Sequence, residues 1–265
     1  MRANGARHRL ASMPGVKIKP RDLLVWATLW TALSFPAAAL DSNRSIAQYA
    51  HAAWGSEQGL PHATVAAILQ TRDGYLWFGT ELGLARFDGV RFVVFDRKNT
   101  PELKSNVVRA LAEDSEGTLW IGTSGGGLTQ CRNGKFLAVA ENLGQSNSAQ
   151  ALYTDPSGAV WIGTDGGGAA RYWRGKFRHY TTRDGLSDDS VFAFAQDTDG
   201  ILWIGTHNGL DRLEGDKIAV YHTADGLPSD YIHSLYPDRG GGLWIGTFGG
   251  GISHWKDGKF RNLAT

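Results

Sequence analysis

The stretch Leu243-Trp244-Ile245-Gly246-Thr247 decides the fold, because four other stretches repeat it. They are Leu76-Trp77-Phe78-Gly79-Thr80, Leu119-Trp120-Ile121-Gly122-Thr123, Val160-Trp161-Ile162-Gly163-Thr164 and Leu202-Trp203-Ile204-Gly205-Thr206. Their tryptophans fall about 42 residues apart, a period in the range of propeller blades. So large a side chain at a fixed interval marks one copy of a supersecondary unit at each occurrence.

Aligning the copies on the tryptophan exposes the whole unit. An apolar column precedes it at Ile68, Leu111, Leu152, Phe194 and Leu235, and beside that column runs a small one at Ala67, Ala110, Ala151, Ala193 and Ser234. A glycine stands three residues before each tryptophan, at Gly74, Gly117, Gly158, Gly200 and Gly241. The turn holding it opens on Asp114, Asp155, Asp197 and Asp238 in four copies and on Thr71 in the first. After the motif come a glycine cluster, a short apolar segment and a strand-like run such as Lys176-Phe177-Arg178-His179-Tyr180. A loop such as Asp184-Gly185-Leu186 or Asp225-Gly226-Leu227-Pro228 then enters the next copy.

Each copy therefore reads as four short strands separated by Gly/Asp turns, with no helical periodicity. The 35 glycines are accounted for by hairpin turns that need positive φ. Four strands in each period of about 42 residues predict an all-β fold, a β-propeller of four-stranded antiparallel blades centred on Trp77, Trp120, Trp161, Trp203 and Trp244. In such a blade the first strand lines the channel, the fourth lies outermost, and the tryptophan of the second packs between blades. The five tryptophans are expected at equivalent, largely buried positions.

The start of the chain reads as a targeting segment. Arg2, Arg7, Arg9, Lys17, Lys19 and Arg21 precede an uncharged stretch from Leu23 to Phe35, followed by Pro36 and Ala37-Ala38-Ala39. Basic, apolar and small-residue regions in that order predict a signal peptide over residues 1–39, with cleavage after Ala39 and repeats over 40–265. Met13 offers an alternative start. An uncleaved anchor is the other reading, since Leu23 to Leu40 is about long enough to span a bilayer. Either places the repeats in the periplasm or outside the cell, with the membrane touched only through this segment.

Removing residues 1–39 takes six of 27 basic and one of 26 acidic residues, leaving 21 against 25 and a net charge near −4. That balance argues against a phosphate-binding surface and a nucleic-acid partner. Cys131 is the single cysteine and reads as a structural thiol aligned with Phe87, Tyr172, Leu213 and His254. Gly122-Thr123-Ser124-Gly125-Gly126 matches the nucleophile-elbow expression, but that elbow needs a strand-to-helix turn and this one joins strands. Asp197-Thr198-Asp199-Gly200 resembles a calcium-loop start without the downstream glutamate. The histidines lack zinc spacing. The sequence thus assigns no catalytic residue, no metal and no cofactor.

A repeated scaffold carries specificity where its copies differ. One variable set follows each motif: Glu81, Ser124, Asp165, His207 and Phe248. A second lies in the loop entering each inner strand: His62, Asn106, Asn147, Asp189 and Asp230-Tyr231. A third, Ala66, Arg109, Gln150, Phe192 and His233, is expected to face the channel. The candidate ligand contacts are Glu81, Asp165, His207, Phe248 and Tyr231. Phe248 and Tyr231 would stack on a ring while the carboxylates accept hydroxyl hydrogen bonds, which suits a polar small molecule or a glycan. The uniform Asp-x-x-Gly turns at the opposite end offer little discrimination.

The run Asp225-Gly226-Leu227-Pro228-Ser229, Leu243-Trp244-Ile245-Gly246-Thr247 and Gly250-Gly251-Ile252 resembles the two-component regulator propeller repeat, as do Glu57-Gln58-Gly59-Leu60-Pro61 and the Trp77 copy. The resemblance covers roughly residues 46–263. It implies the periplasmic sensor region of hybrid histidine kinases or membrane-bound diguanylate cyclases, with seven-bladed propellers and no catalytic residues in the propeller. This chain has five motifs, and no kinase or cyclase motif follows them. Tyr49 to Leu60 match the outer strand and loop that end a copy, with Trp54 aligned to Tyr180 and Tyr221. The expectation is a ligand-sensing module in an open five-bladed arc, a fragmentary product whose exposed sheet edges invite self-association. Two other readings stay open. A propeller lyase would draw on His207 with Glu81 or Asp165, and a secreted scaffold would bind proteins through the disc face.

Overall fold

Twenty strands in five separate sheets make up the protein, and each sheet uses four consecutive strands. A computed structural model describes residues 52–140 and 143–263. Blade 1 holds β1 (Val65–Gln70), β2 (Leu76–Thr80), β3 (Gly83–Phe87) and β4 (Phe92–Phe95). Blade 2 holds β5 (Val108–Glu113), β6 (Leu119–Thr123), β7 (Gly127–Arg132) and β8 (Lys135–Ala140). Blade 3 holds β9 (Ala149–Thr154), β10 (Val160–Thr164), β11 (Ala169–Trp173) and β12 (Lys176–Tyr180). Blade 4 holds β13 (Val191–Gln196), β14 (Leu202–Thr206), β15 (Gly209–Glu214) and β16 (Lys217–Tyr221). Blade 5 holds β17 (Ile232–Pro237), β18 (Leu243–Thr247), β19 (Gly251–Lys256) and β20 (Lys259–Leu263). Every sheet runs in sequence order and every pairing is antiparallel. Helix among the described residues is confined to three single 3₁₀ turns.

All these strands lie in the compact unit Ala53–Thr265. The expected signal segment and its cleavage site lie outside the described residues, as do Tyr49 to His51. Within the unit the first strands adjoin one another in the order β1, β5, β9, β13, β17, so they form the inner wall. β17 has no comparable neighbour relation with β1. The propeller is an open arc of five blades.

Four hydrophobic cores fill the four junctions. Trp77 packs with Leu119 and Ile121 of blade 2, and Trp120 with Val160 and Ile162 of blade 3. Trp161 packs with Leu202 and Ile204, and Trp203 with Leu243 and Ile245. Each motif thus contributes two half-interfaces: its tryptophan faces the following blade, and the residues on either side of the indole face the preceding one. Loop leucines Leu103, Leu143, Leu186 and Leu227 close the same four cores.

The motif glycine follows from the same packing. A Cβ at Gly205 would meet Ile232 Cγ2 at 2.7 Å, and one at Gly79 would meet Val108 Cγ1 at 2.8 Å. The inner strand of the next blade rests directly on that glycine, which no larger residue permits. Gly185 and Gly226 serve a different need: they end 3₁₀ turns at φ 107° and 112°, a left-handed conformation that glycine adopts without strain.

Two expectations change at the ends of the arc. Trp244 is only half-buried, unlike the other four tryptophans, because no described blade follows it. Near it Tyr236 is 68% and Ile252 49% exposed, and at the other end Ile68 is 64% exposed. The ends therefore present sheet faces to solvent, not the hydrogen-bonding edges expected from the sequence. Each blade's own edges, β1-type and β4-type, run along the channel and the rim. Residues 52–55 form no strand, and Ser56–Gln58 forms a 3₁₀ turn matching Thr182–Asp184 and Thr223–Asp225. Trp54 packs edge-on against Phe87 at 5.2 Å, and Leu60 is buried, so this segment covers part of the leading face of blade 1.

Candidate functional site

The position just after the first residue of each inner strand breaks the sheet register. Ladder shifts fall between Val65 and Ala67, Val108 and Ala110, Val191 and Ala193, and Ile232 and Ser234. In blade 3, Gly163 pairs with Ala151 and Thr164 with Ala149, skipping Gln150. Each blade thus carries a bulge whose extra residue is Ala66, Arg109, Gln150, Phe192 or His233. A bulge re-aims its side chain away from the pleat. These five are the set expected to face the channel.

In blades 2 to 5 the turn after the second strand and the loop before the first strand are joined by one backbone hydrogen bond. Ser124 N donates to Val107 O at 2.8 Å, His207 N to Ser190 O at 3.0 Å and Phe248 N to Tyr231 O at 2.9 Å, with Asp165 N to Ser148 O longer at 3.3 Å. The two variable sets and the bulges therefore share one end of the arc.

Contacts at that end divide the candidates into three groups. In blades 1 and 2, Glu81 lies 4.0 Å from both His62 Nδ1 and Arg109 Nη2. In blades 2 to 4 the groups are hydroxyls and amides. Ser148 Oγ donates to Ser124 Oγ at 3.2 Å, Gln150 Nε2 to Ser148 Oγ at 3.3 Å, and Ser190 Oγ to Asp165 Oδ1 at 3.5 Å. In blades 4 and 5 the groups are rings. Tyr231 meets Phe192 at 5.1 Å, His207 at 4.7 Å and Phe248 at 5.3 Å, while His233 stacks parallel to Phe192 at 6.5 Å. Phe248 is 69% exposed, so the cluster shows an open aromatic surface. The structure thus brings Tyr231, His207 and Phe248 together, adds Phe192 and His233, and sets Glu81 and Asp165 in separate contacts.

Several loop residues of the second variable set are occupied structurally. Asp189 accepts from Thr182 N at 2.7 Å, Asp230 from Thr223 N at 2.6 Å and Asn106 from Arg97 N at 2.9 Å. They anchor the loops between blades. Among the described residues His207 makes no hydrogen bond or ion pair with a carboxylate; its ring meets Tyr231 edge-on. Ser124, the serine of the elbow-like match, sits in the turn between β6 and β7.

The turn aspartates have a role the sequence reading missed. Asp114, Asp155 and Asp197 accept from the indole Nε1 of Trp120, Trp161 and Trp203 at 2.9, 3.0 and 2.8 Å. The same carboxylates take the backbone N–H groups of their own turns, as Asp197 does from Asp199 and Ile201. The constant six-residue step from turn residue to tryptophan was the available signal. Thr71 replaces the acid in blade 1 and accepts from Trp77 Nε1 at 3.1 Å. In blade 5, Asp238 holds His254 Nε2 at 2.6 Å.

Two further buried groups are ionisable, Cys131 and Asp211. Cys131 pairs with Leu119, and the register matches it to Phe87, Tyr172, Leu213 and Trp255, correcting His254 in that column. Burial pushes its thiol pKa up. Asp211 is fully buried on β15 and accepts from both Ser187 N and Ser187 Oγ at 3.0 Å. Desolvation outweighs those hydrogen bonds and raises its pKa to about 7.

A family model described as two component regulator propeller matches residues 59–81, 102–125, 144–166, 185–208 and 226–249, one match for each blade. The chain belongs to this family. Among solved structures it resembles the extracellular domain of a protein designated a hybrid two-component system from B. thetaiotaomicron, at 26% identity and a TM-score of 0.68 over 78% of this chain and 29% of that one. The extracellular domain of a one-component system from the same organism aligns at 25% identity and a TM-score of 0.61, over 72% of this chain and 27% of that one. The chain thus spans under a third of the length of those domains. Virginiamycin B lyase from Staphylococcus aureus aligns at 16% identity and a TM-score of 0.64, over 77% and 71% of the two chains, a likeness of fold alone. No curated protein matches the chain. Among the described residues no helix is long and apolar enough to cross a membrane.

Proposed function

We propose that this propeller is the ligand-sensing part of an extracellular or periplasmic receptor in two-component or cyclic-di-GMP signalling. Export follows cleavage after Ala39, and the signalling output is supplied by sequence other than these repeats. The ligand is a polar small molecule or glycan held at the bulged end of the arc. The observation carrying this reading is the bulge itself. Every inner strand gives up one ladder position to aim a variable side chain toward the turns that bear Glu81, Asp165, His207 and Phe248. Phe192, Tyr231 and Phe248 supply aromatic faces for a sugar ring, while Asp165, Ser148 and Gln150 supply hydrogen-bonding groups.

An enzymatic reading gains nothing from the site, since His207 meets a ring where a lyase-type His/Glu pair would need a carboxylate. The test is calorimetric titration with a panel of neutral oligosaccharides, repeated for Asp165→Ala, His207→Ala and Phe248→Ala. Affinity should fall at least tenfold in Phe248→Ala and measurably in the other two, with melting temperatures unchanged. Unaltered affinity in all three removes this end of the arc from consideration.

A further inference from the structure

A cavity lies at the other end, in the junction of blades 1 and 2. It holds about 390 Å³ and is lined by Thr71, Asp73, Trp77, Arg86, Glu113 and Phe136, among others. That volume falls within the ~300–1,000 Å³ of small-molecule sites. In sequence this end reads as uniform. Comparing the blades shows where it is not.

Opposite each motif tryptophan, on the third strand, stand Arg86, Gln130, Arg171, Arg212 and His254. The basic members have acidic partners in three blades. Arg171 Nη2 lies 3.8 Å from Asp155, Arg212 Nη1 lies 2.9 Å from Glu214, and His254 Nε2 lies 2.6 Å from Asp238. Blade 1 has Thr71 where the others have aspartate. Arg86 lies over the Tyr75 ring at 4.3 Å and the Trp77 ring at 5.8 Å, and among the described residues it makes no hydrogen bond or ion pair.

The neighbouring acids do not replace the missing one. Glu113 accepts from Arg72 N at 3.1 and 3.3 Å and lies 3.9 Å from Arg72 Nε, and Glu116 holds Arg132 at 2.8 Å. Asp73 Oδ1 accepts from Thr71 Oγ1 at 2.6 Å. A half-buried guanidinium with all its donors free is a ready partner for a carboxylate, which it can bind through two parallel hydrogen bonds. Asp73 and Glu113 keep lone pairs for hydroxyl or ammonium donors on the same molecule.

We infer that the blade 1–2 cavity binds a small carboxylate that also carries hydrogen-bond donors, its carboxylate on Arg86 in the place that Asp155 fills beside Arg171. Acidic sugars and α-amino acids share that chemistry. The site is separate from the bulged end, and neither reading depends on the other.

The test is calorimetric titration of the exported chain with sodium D-glucuronate, L-serine, D-glucose and sodium acetate. Glucuronate or serine should bind saturably and at least tenfold more tightly than glucose or acetate, and whichever binds identifies the source. Arg86→Gln should weaken that binding at least tenfold. Thr71→Asp should weaken it as much by supplying the internal acid, with the melting temperature held or raised, because the other four blades already carry aspartate there. Absence of saturable binding by both donors-bearing acids, equal binding of acetate alone, or binding that survives both Arg86→Gln and Thr71→Asp would overturn the assignment.

Discussion

Trp203 and Trp244 occupy the same motif position under different loads. Trp203 is fully buried against blade 5 and hydrogen-bonded to Asp197, whereas Trp244 faces solvent on one side. Trp203→Ala should therefore cost ~3–5 kcal/mol in urea unfolding, and Trp244→Ala less than half as much. Asp211 gives a second residue-scale outcome. Its carboxyl titrates near 4 when unfolded and near 7 when folded. The folded state therefore holds the proton more tightly, and the stability this provides is complete below pH ~4 and lost as pH rises through ~7. Asp211→Asn removes that loss. Relative to the parent, the variant should gain stability between pH 4 and 7, on the order of a few kcal/mol from a shift of about three units. Urea midpoints measured across that range check the sign, and a flat difference would refute it.

The blade is an element whose faces were legible and whose details were not. Tryptophan spacing and the small column at Ala67, Ala110, Ala151 and Ala193 disclosed four-stranded units, because burial between blades repeats with the period of the units. The motif glycine was legible as a turn-rich composition but not as a contact, since the atom that excludes its Cβ belongs to the next blade. Gly205→Ala should cost ~1–3 kcal/mol by overpacking against Ile232, measured by thermal unfolding, with Gly215→Ala in an open turn as the comparison for φ strain alone. The candidate site was half legible. Variable positions marked Tyr231, His207 and Phe248, but their convergence with Phe192 and His233 depends on bulges, which leave no periodic signal. The partition of Asn106, Asp189 and Asp230 into loop anchors is likewise a matter of which backbone N–H lies nearby. The loss of a charge at Thr71 was visible in the alignment, and only the position of Arg86 beside it gave the difference a consequence.

Across the whole arc, stability is a sum of four junctions, so neighbouring blades support one another only in sequence order. Unfolding followed by hydrogen exchange should show the central blades protected longest and blades 1 and 5 opening first; uniform protection in all five would show a closed ring. The solvent-facing residues Tyr236, Ile252 and Ile68 form apolar surface of the kind that drives association. Sedimentation velocity should show concentration-dependent assembly, reduced by Tyr236→Lys and Ile68→Lys; a concentration-independent monomer would contradict this. The bulges carry one more implication. A residue outside the ladder is constrained by no partner strand, so Ala66, Arg109, Gln150, Phe192 and His233 can change identity while the frame around them stays fixed. Recognition in such a molecule is rewritable one blade at a time, and lineages sharing this scaffold are free to diverge in what they detect long before they diverge in how they fold.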